Sequence, residues 1–211
     1  MRAPAGGGGG GGAGGAGAGL GCADLLMVTL GTGVGSSAVV GGRVLRAGHG
    51  HGGVLGGHLT VRLDGTPCAC GNTGCVEAEA STARLGELIG RLARDGHGDS
   101  PLRRVEQPTY RDVFALAAAG DALALAVRDE TYRVWSAGVL NLVLAYGSTR
   151  VLLGGGVAAG AAGLCGFMRE YLHTHGWITW GEVAVEPAAL GNDAALWGGL
   201  FLADEFLPLD P

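Results

Sequence analysis

His58, Cys68, Cys70 and Cys75 fall within the run HLTVRLDGTPCACGNTGCVEAEAS, an imidazole and three thiols with glycines between them. Soft thiolates joined by an imidazole are the donor set of a closed tetrahedral zinc site rather than of a harder cation. Cys68 and Cys70 share a C-x-C turn that points both sulfurs one way, and Gly71 and Gly74 let the backbone fold back so that Cys75 joins them. His58 arrives from the preceding segment and closes the shell. A disulfide fits less well, because Cys68 and Cys70 are too close in sequence to pair easily. Four protein ligands leave no position open for water or substrate. The zinc is therefore structural, and its binding contributes folding free energy on the order of 10 kcal/mol. Ligation through one ring nitrogen of His58 fixes the tautomer of the other.

Two glycine turns and one carboxylate are the remaining chemical candidates. Gly31-Thr32-Gly33 follows an apolar run, and glycine lets backbone amides approach phosphate oxygens while the threonine hydroxyl adds a donor. A plain hairpin turn is the alternative. Gly154-Gly155-Gly156 ends a strand just before a helix, which suits either a nucleotide or an ordinary strand-to-helix turn. Glu77 follows the last cysteine by two residues. Its carboxylate can accept from two hydroxyls, or can simply favour a helix N-terminus through the dipole. Glu79 has only the second of these readings.

Elements placed around these residues must hold them. Leu25–Leu30 reads as a strand running into a tight turn, Ser36–Val40 as a second and Arg43–Arg46 as a third, with hairpin chemistry at Gly41-Gly42. Residues 48–57 read as a loop, and Leu59–Leu63 alternates like a strand. From Glu77 a helix is expected to run to Gly96, followed by a polar, proline-containing loop over 97–108. Helices are predicted over Tyr110–Ala119 and Ala122–Tyr146, the latter with Leu123, Val127, Val134, Val139 and Leu142 at helical spacing. Then come a strand at Arg150–Leu153, a helix at Ala159–His173, a strand at Glu182–Glu186 and a helix at Asn192–Leu202. Strands alternating with helices imply an α/β fold.

Composition narrows the setting. A chain of 211 residues can bury one good core or two small ones, and 47% hydrophobic against 16% charged residues marks it as globular. A net charge of -5 disfavours a nucleic-acid surface, which needs a basic stripe to release counterions. Cys22 and Cys165 stand apart from the metal set, a usage that suits a reducing cytoplasm better than secretion. The N-terminus lacks the apolar region of a secretory signal, and no apolar run is long enough to span a bilayer. The block GGGGGGGAGGAGAG has no side chains to bury and much ordering entropy to lose, so residues 1–20 are expected to be a disordered tail ahead of one domain at 21–207. That block is not a phosphate loop, which needs a strand before it and a helix start after it.

The upstream run LLMVTLGTGVGSSAVVGGRVLRAGHG, the pattern G-H-x9-C-x-C-x4-C-x-E, and the downstream RVLLGGGVAAG and EVAVEPAALGNDAALWGG occur in that order. Together they resemble the ROK family of bacterial sugar kinases, sugar-responsive repressors and related proteins, over about residues 20–205. The zinc motif is highly specific, LGTGVG less so, and the glycine triplet weak alone. The resemblance implies the C-terminal lobe of an actin-like (ribonuclease H-like) sugar-kinase fold with a zinc-binding knuckle. It implies that Gly31, Thr32 and Gly33 face ATP phosphates and that Gly154, Gly155 and Gly156 lie against the adenosine. His58 and Glu77 then face sugar hydroxyls, ATP with Mg2+ is the co-substrate, and a homo-oligomer is expected by analogy.

The chain also departs from the family pattern. No D-x-G phosphate loop opens it, and polyglycine stands where the family carries an N-D-A general base. Asp24 is too close to the strand to serve, and Asn192-Asp193-Ala194 matches a different element that begins the C-terminal helix. VLGGH replaces the usual E-[IL]-G-H, so no carboxylate falls there. A missing base costs roughly 10²- to 10⁴-fold in rate, and a missing lobe more, because sugar and phosphate are no longer held together. The expectation is thus a ROK sugar-kinase fragment, catalytically incomplete as written. The alternative is a fragment of a non-catalytic ROK sugar sensor or transcriptional regulator.

Overall fold

The computed structural model describes residues 17–19, 21–46, 53–94, 96 and 99–189. A five-stranded mixed sheet forms within them, from β1 (Leu25–Leu30), β2 (Val34–Val40), β3 (Arg43–Val44), β4 (Arg150–Gly154) and β5 (Ala184–Pro187), in the order β3-β2-β1-β4-β5. β1 is its centre, antiparallel to β2 and parallel to β4, and β4 is parallel to β5. Gly41 and Gly42 make the two-residue turn between β2 and β3 with φ of 56° and 77°, the twist that a right-handed hairpin demands.

Among the described residues six helices accompany the sheet: α1 (Val76–Ala80), α2 (Leu85–Arg94), α3 (Tyr110–Ala118), α4 (Ala122–Tyr146), α5 (Gly156–Gly160) and α6 (Leu164–His175). The period of two along β1 sends Leu26, Val28 and Leu30 into the main core with Val151 and Leu153 of β4. Leu25 turns to the other face, where it packs with Val39 and Leu152 in a small second cluster. α4 runs through the main core and buries Leu123, Val127, Trp135, Val139 and Leu142. Its first turn is capped by Asp121, whose carboxylate accepts from Ala124 N at 2.8 Å, and it ends on Gly147 at φ 66°. Tyr110, Trp135, Tyr132 and Phe167 form a chain of ring contacts with centroids 5.2–6.2 Å apart, joining α3, α4 and α6.

Several elements differ from the sequence expectation. Leu59–Leu63 has no sheet partner: Gly56–His58 is a 3-10 turn, and the following residues make a single bridge, Thr60 with Cys75. The helix expected from Glu77 to Gly96 breaks at Ser81, which is extended at φ -94° and ψ 162°. At the break, the Ala80 carbonyl accepts from Trp135 Nε1 (2.8 Å) and Tyr110 Oη (3.1 Å). Buried side-chain donors thus take the place of the next helical amide. The helix expected over Ala159–His173 divides into α5 and α6 around Gly163 at φ 81°. The 97–108 loop contains a 3-10 turn, Pro101–Arg104, with Ser100 Oγ accepting from Leu102 N at 3.1 Å. Of the expected 1–20 tail, Gly17–Gly19 is described as a 3-10 turn, with the Ala18 carbonyl accepting from Arg150 Nη1 at 2.6 Å. The rest of that stretch and the helix predicted at Asn192–Leu202 lie outside the described residues. No described helix is long and apolar enough to cross a membrane.

Candidate functional site

Between Gly56 and Cys75 the backbone folds into a small knuckle. Cys68 N donates to Asn72 O (2.8 Å), Gly71 N to Cys68 O (3.0 Å) and Gly74 N to Thr66 O (2.9 Å), with a bridge between Pro67 and Thr73. Gly74 is obligatory: φ is 67°, and a Cβ there would lie well inside 3.0 Å of the Arg62 carbonyl oxygen. The fold brings all four predicted ligands together. Their donor atoms lie within 4.8 Å of one another, with His58 Nδ1 3.6 Å from Cys68 Sγ and Cys70 Sγ 3.7 Å from Cys75 Sγ. A tetrahedron with zinc–sulfur bonds of about 2.3 Å has sulfur–sulfur edges of roughly 3.8 Å, so the cluster fits zinc in both donor type and size. Burial, with the Cys68 and Cys70 thiols close by, pushes the Cys75 thiol up to about 12, whereas the Asn72 amide and the Cys68 thiol draw Cys70 below the ordinary thiol value. A divalent cation among these sulfurs would favour the thiolates and relieve the cost of burying Cys75.

The same knuckle delivers one further predicted residue, Glu77, to a strand end. Gly57, next to His58, packs against the Val34 carbonyl so closely that no Cβ fits. Glu77 Oε2 accepts from Val34 N at 2.9 Å and crowds Gly33. Gly57, which precedes His58, and Glu77 therefore flank the first residue of β2, directly after the Gly31-Thr32-Gly33 turn. That turn closes on itself through Gly31 N to Gly33 O (3.0 Å). Its Gly31 and Thr32 carbonyls accept from Thr82 N (3.2 Å) and Ala83 N (3.3 Å), while Thr32 is exposed.

β1 and β4 are parallel neighbours, with Thr29 opposite Gly154, so the Gly31-Thr32-Gly33 and Gly154-Gly155-Gly156 turns emerge side by side. Ligands of parallel α/β sheets bind in such a crevice, outside the carboxyl ends of the strands. Gly155 lies at φ 91° and ψ 160°, and a Cβ there would fall well inside 3.0 Å of the Leu30 carbonyl oxygen. A cleft of about 910 Å³ opens alongside, lined by Thr82, Tyr110, Phe114, Gly156, Val157 and Gly160. Thr82 Oγ1 is buried there with no protein partner.

Sequence reasoning missed three contributors. Tyr110 and Trp135 fix the end of α1, and only a pairing across the fold reveals it. Glu79, set aside as a helix-terminal acid, is 2% exposed and bound by Arg62 (3.4 Å), Arg91 (3.2 Å) and the Thr66 amide. Burial alone would push its carboxyl up, but the Thr66 hydrogen bonds and the two guanidiniums outweigh that and hold it below the usual carboxylate range.

The fold is that of the ROK sugar kinases, an actin-like ATPase fold. It matches the ROK hexokinase from Thermus thermophilus with a TM-score of 0.75 and 32% identity, over 93% of this chain and 62% of that one. It also matches a ROK family glucokinase from Streptomyces griseus, solved with glucose and AMPPNP, at a TM-score of 0.72 and 28% identity, over 89% of this chain and 62% of that one. The chain itself belongs to the ROK family, whose model matches residues 14–205. The glucokinase of Halalkalibacterium halodurans is 35% identical over 193 residues, 86% of this chain and 56% of that protein. This chain thus spans little more than half the length of that curated relative.

Proposed function

We propose that residues 21–207 form the nucleotide- and sugar-facing lobe of a ROK sugar kinase, which in the whole protein transfers a phosphoryl group from ATP, with Mg2+, to a hexose hydroxyl. The observation that supports this reading is the meeting of the two glycine turns at the carboxyl ends of β1 and β4, with Glu77 and Gly57, the residue before His58, packed on Val34 beside them.

Each group then has a task. The Gly31-Thr32-Gly33 turn faces the phosphates through the Gly33 amide and the exposed Thr32 hydroxyl, while the Gly31 amide closes the turn on Gly33 O, and Gly154, Gly155 and Gly156 form the floor for the nucleoside, with the unpartnered Thr82 Oγ1 buried beside them. Glu77, already oriented by the Val34 amide, keeps acceptor capacity for sugar hydroxyls. His58, Cys68, Cys70 and Cys75 hold zinc, which cross-links the knuckle and supplies no reacting group. With Nδ1 turned toward Cys68, the other ring nitrogen of His58 is free to meet a hydroxyl. Because polyglycine stands where the family has its N-D-A base, the chain by itself binds ligands but transfers phosphate slowly or not at all. The setting is cytoplasmic, where ATP and reduced thiols coexist, and the whole protein is a homo-oligomer.

Metal analysis of the purified chain, calorimetric titration with glucose and with AMPPNP and Mg2+, and ATP-dependent phosphorylation of a hexose panel test this together. One zinc per chain, binding of both ligands and little turnover are expected. A folded protein without zinc, or without affinity for the nucleotide, overturns the reading. Turnover at ordinary kinase rates instead refutes the account of the missing base.

A further inference from the structure

Glu79 is an acid with an unusual position: its side chain is 0% exposed, yet it lies beside the knuckle rather than in the cleft. Oε1 accepts from Thr66 N, and Oε2 faces Arg62 Nε at 3.4 Å and Arg91 Nη1 at 3.2 Å. The Thr66 peptide is held on both sides, because its carbonyl accepts from Gly74 N at 2.9 Å, next to Cys75. Cys68 follows Thr66 by two residues. Gly65 lies so flat on this arrangement that a Cβ would sit 2.5 Å from Glu79 Oε1 and 2.8 Å from Gly74 Cα. Arg62 and Arg91 also reach Glu130 on α4, which in turn pairs with Arg133 at 3.3 Å. The ion network therefore ties the knuckle to the longest helix of the core.

We propose that Glu79 is the outer anchor of the metal knuckle: its buried carboxylate, held between Arg62 and Arg91, fixes the Thr66 backbone and thereby the Cys68 ligand, and so governs how long the knuckle retains its metal. A ligand set on a short glycine-rich loop stays preorganised only while the loop cannot swing. Groups that orient metal ligands from outside the coordination shell commonly change affinity by roughly 10- to 100-fold when removed. Loss of the Glu79 carboxylate also leaves the Thr66 amide without its acceptor, which makes the loop's open state easier to reach. This inference rests on the zinc reading above.

The test is the rate of zinc transfer from the loaded protein to a chromogenic chelator such as 4-(2-pyridylazo)resorcinol. Glu79→Ala is expected to release zinc roughly 10- to 100-fold faster than wild type, with Glu79→Gln, which keeps an acceptor for Thr66 N, recovering part of the loss. Gly65→Ala disturbs the same contact from the loop side and serves if Glu79→Ala does not fold. Asp121→Ala, at the N-cap of α4, reports the effect of ordinary destabilisation away from the knuckle, and Asp99→Asn removes only an exposed pair with Arg104. The proposal stands if Glu79→Ala and Gly65→Ala accelerate release while both controls stay within about threefold of wild type. It falls if the Glu79 variants also stay within threefold, or if Asp121→Ala accelerates release equally. Wild-type protein that binds no zinc refutes the zinc reading, and this anchor with it.

Discussion

Gly155→Ala isolates the contact on which the cleft depends. At φ 91° and ψ 160° the residue occupies a region that is essentially glycine-only, and an alanine held there costs about 1–3 kcal/mol. The added methyl also meets backbone, not a flexible side chain: the Leu30 carbonyl oxygen and amide nitrogen both fall inside 3.0 Å. Overpacking of this kind costs about 1–3 kcal/mol more, because β1 cannot shift without dragging β2 and β4. A total of about 2–6 kcal/mol lowers the melting temperature by roughly 4–24 °C for a domain of this size. Gly156→Ala is the matched control. No atom lies within 4 Å of its Cβ position, and its backbone is ordinary for the first residue of a helix, so its melt stays within about 2 °C of wild type. Differential scanning calorimetry of the three proteins, each with and without AMPPNP and Mg2+, reads both consequences. Gly155→Ala should also lose at least about tenfold in nucleotide affinity as the turn lifts away from β1, equivalent to about 1.4 kcal/mol. Equal melting of the two variants, or a destabilised Gly155→Ala with unchanged nucleotide affinity, would show that the turn does not form the floor of the site.

Two further outcomes follow from local geometry. Asp121 Oδ1 accepts from Ala124 N (2.8 Å) and Ser100 Oγ (2.8 Å), so Asp121→Ala should cost about 1–2 kcal/mol in chemical denaturation, with Asp121→Asn restoring most of it; equal midpoints for all three proteins would refute the capping role. Asp112 accepts from the hydroxyl and amide of Thr109 at the start of α3, and those bonds hold its carboxyl below the ordinary 3.8. Its stabilisation is therefore complete above that value and lost as pH falls through the folded-state value below it. Asp112→Asn should be less stable than wild type at pH 7 by no more than about 1 kcal/mol, since solvent screens the site, and the gap should close below pH 3.8. A gap that does not shrink as pH falls below 3.8 would refute this.

How much was legible depended on whether the signal was local. The knuckle was readable because metal ligation constrains residue type and spacing together, and the fold indeed gathers His58, Cys68, Cys70 and Cys75. β1 was readable because LLMVTL is a continuous apolar run of strand length that ends at a glycine turn, the pattern of a strand buried on both faces. Leu59–Leu63 misled for the same reason in reverse. It alternates, but Val61 N is claimed by Gly74 O at 2.8 Å, so the segment pairs within the knuckle and not with the sheet. The break at Ser81 could not be read, since VEAEASTARLGELIGRLAR has good helical periodicity throughout. Only the arrival of Trp135 and Tyr110 at the Ala80 carbonyl makes stopping there favourable.

The sequence by itself determined the grouping of His58, Cys68, Cys70 and Cys75, the turns and the strands that carry them, because these rest on covalent spacing, on glycine's freedom and on hydrophobic period. Tertiary structure alone decided that the two glycine turns meet at Gly155 and Leu30, and that Glu77 is oriented by Val34. It also decided that Glu79 is a buried charge between two arginines rather than a solvated helix end. Each of these is a contact between segments distant in the chain, and no local propensity encodes it. Its free energy appears only when packing removes water from both partners at once.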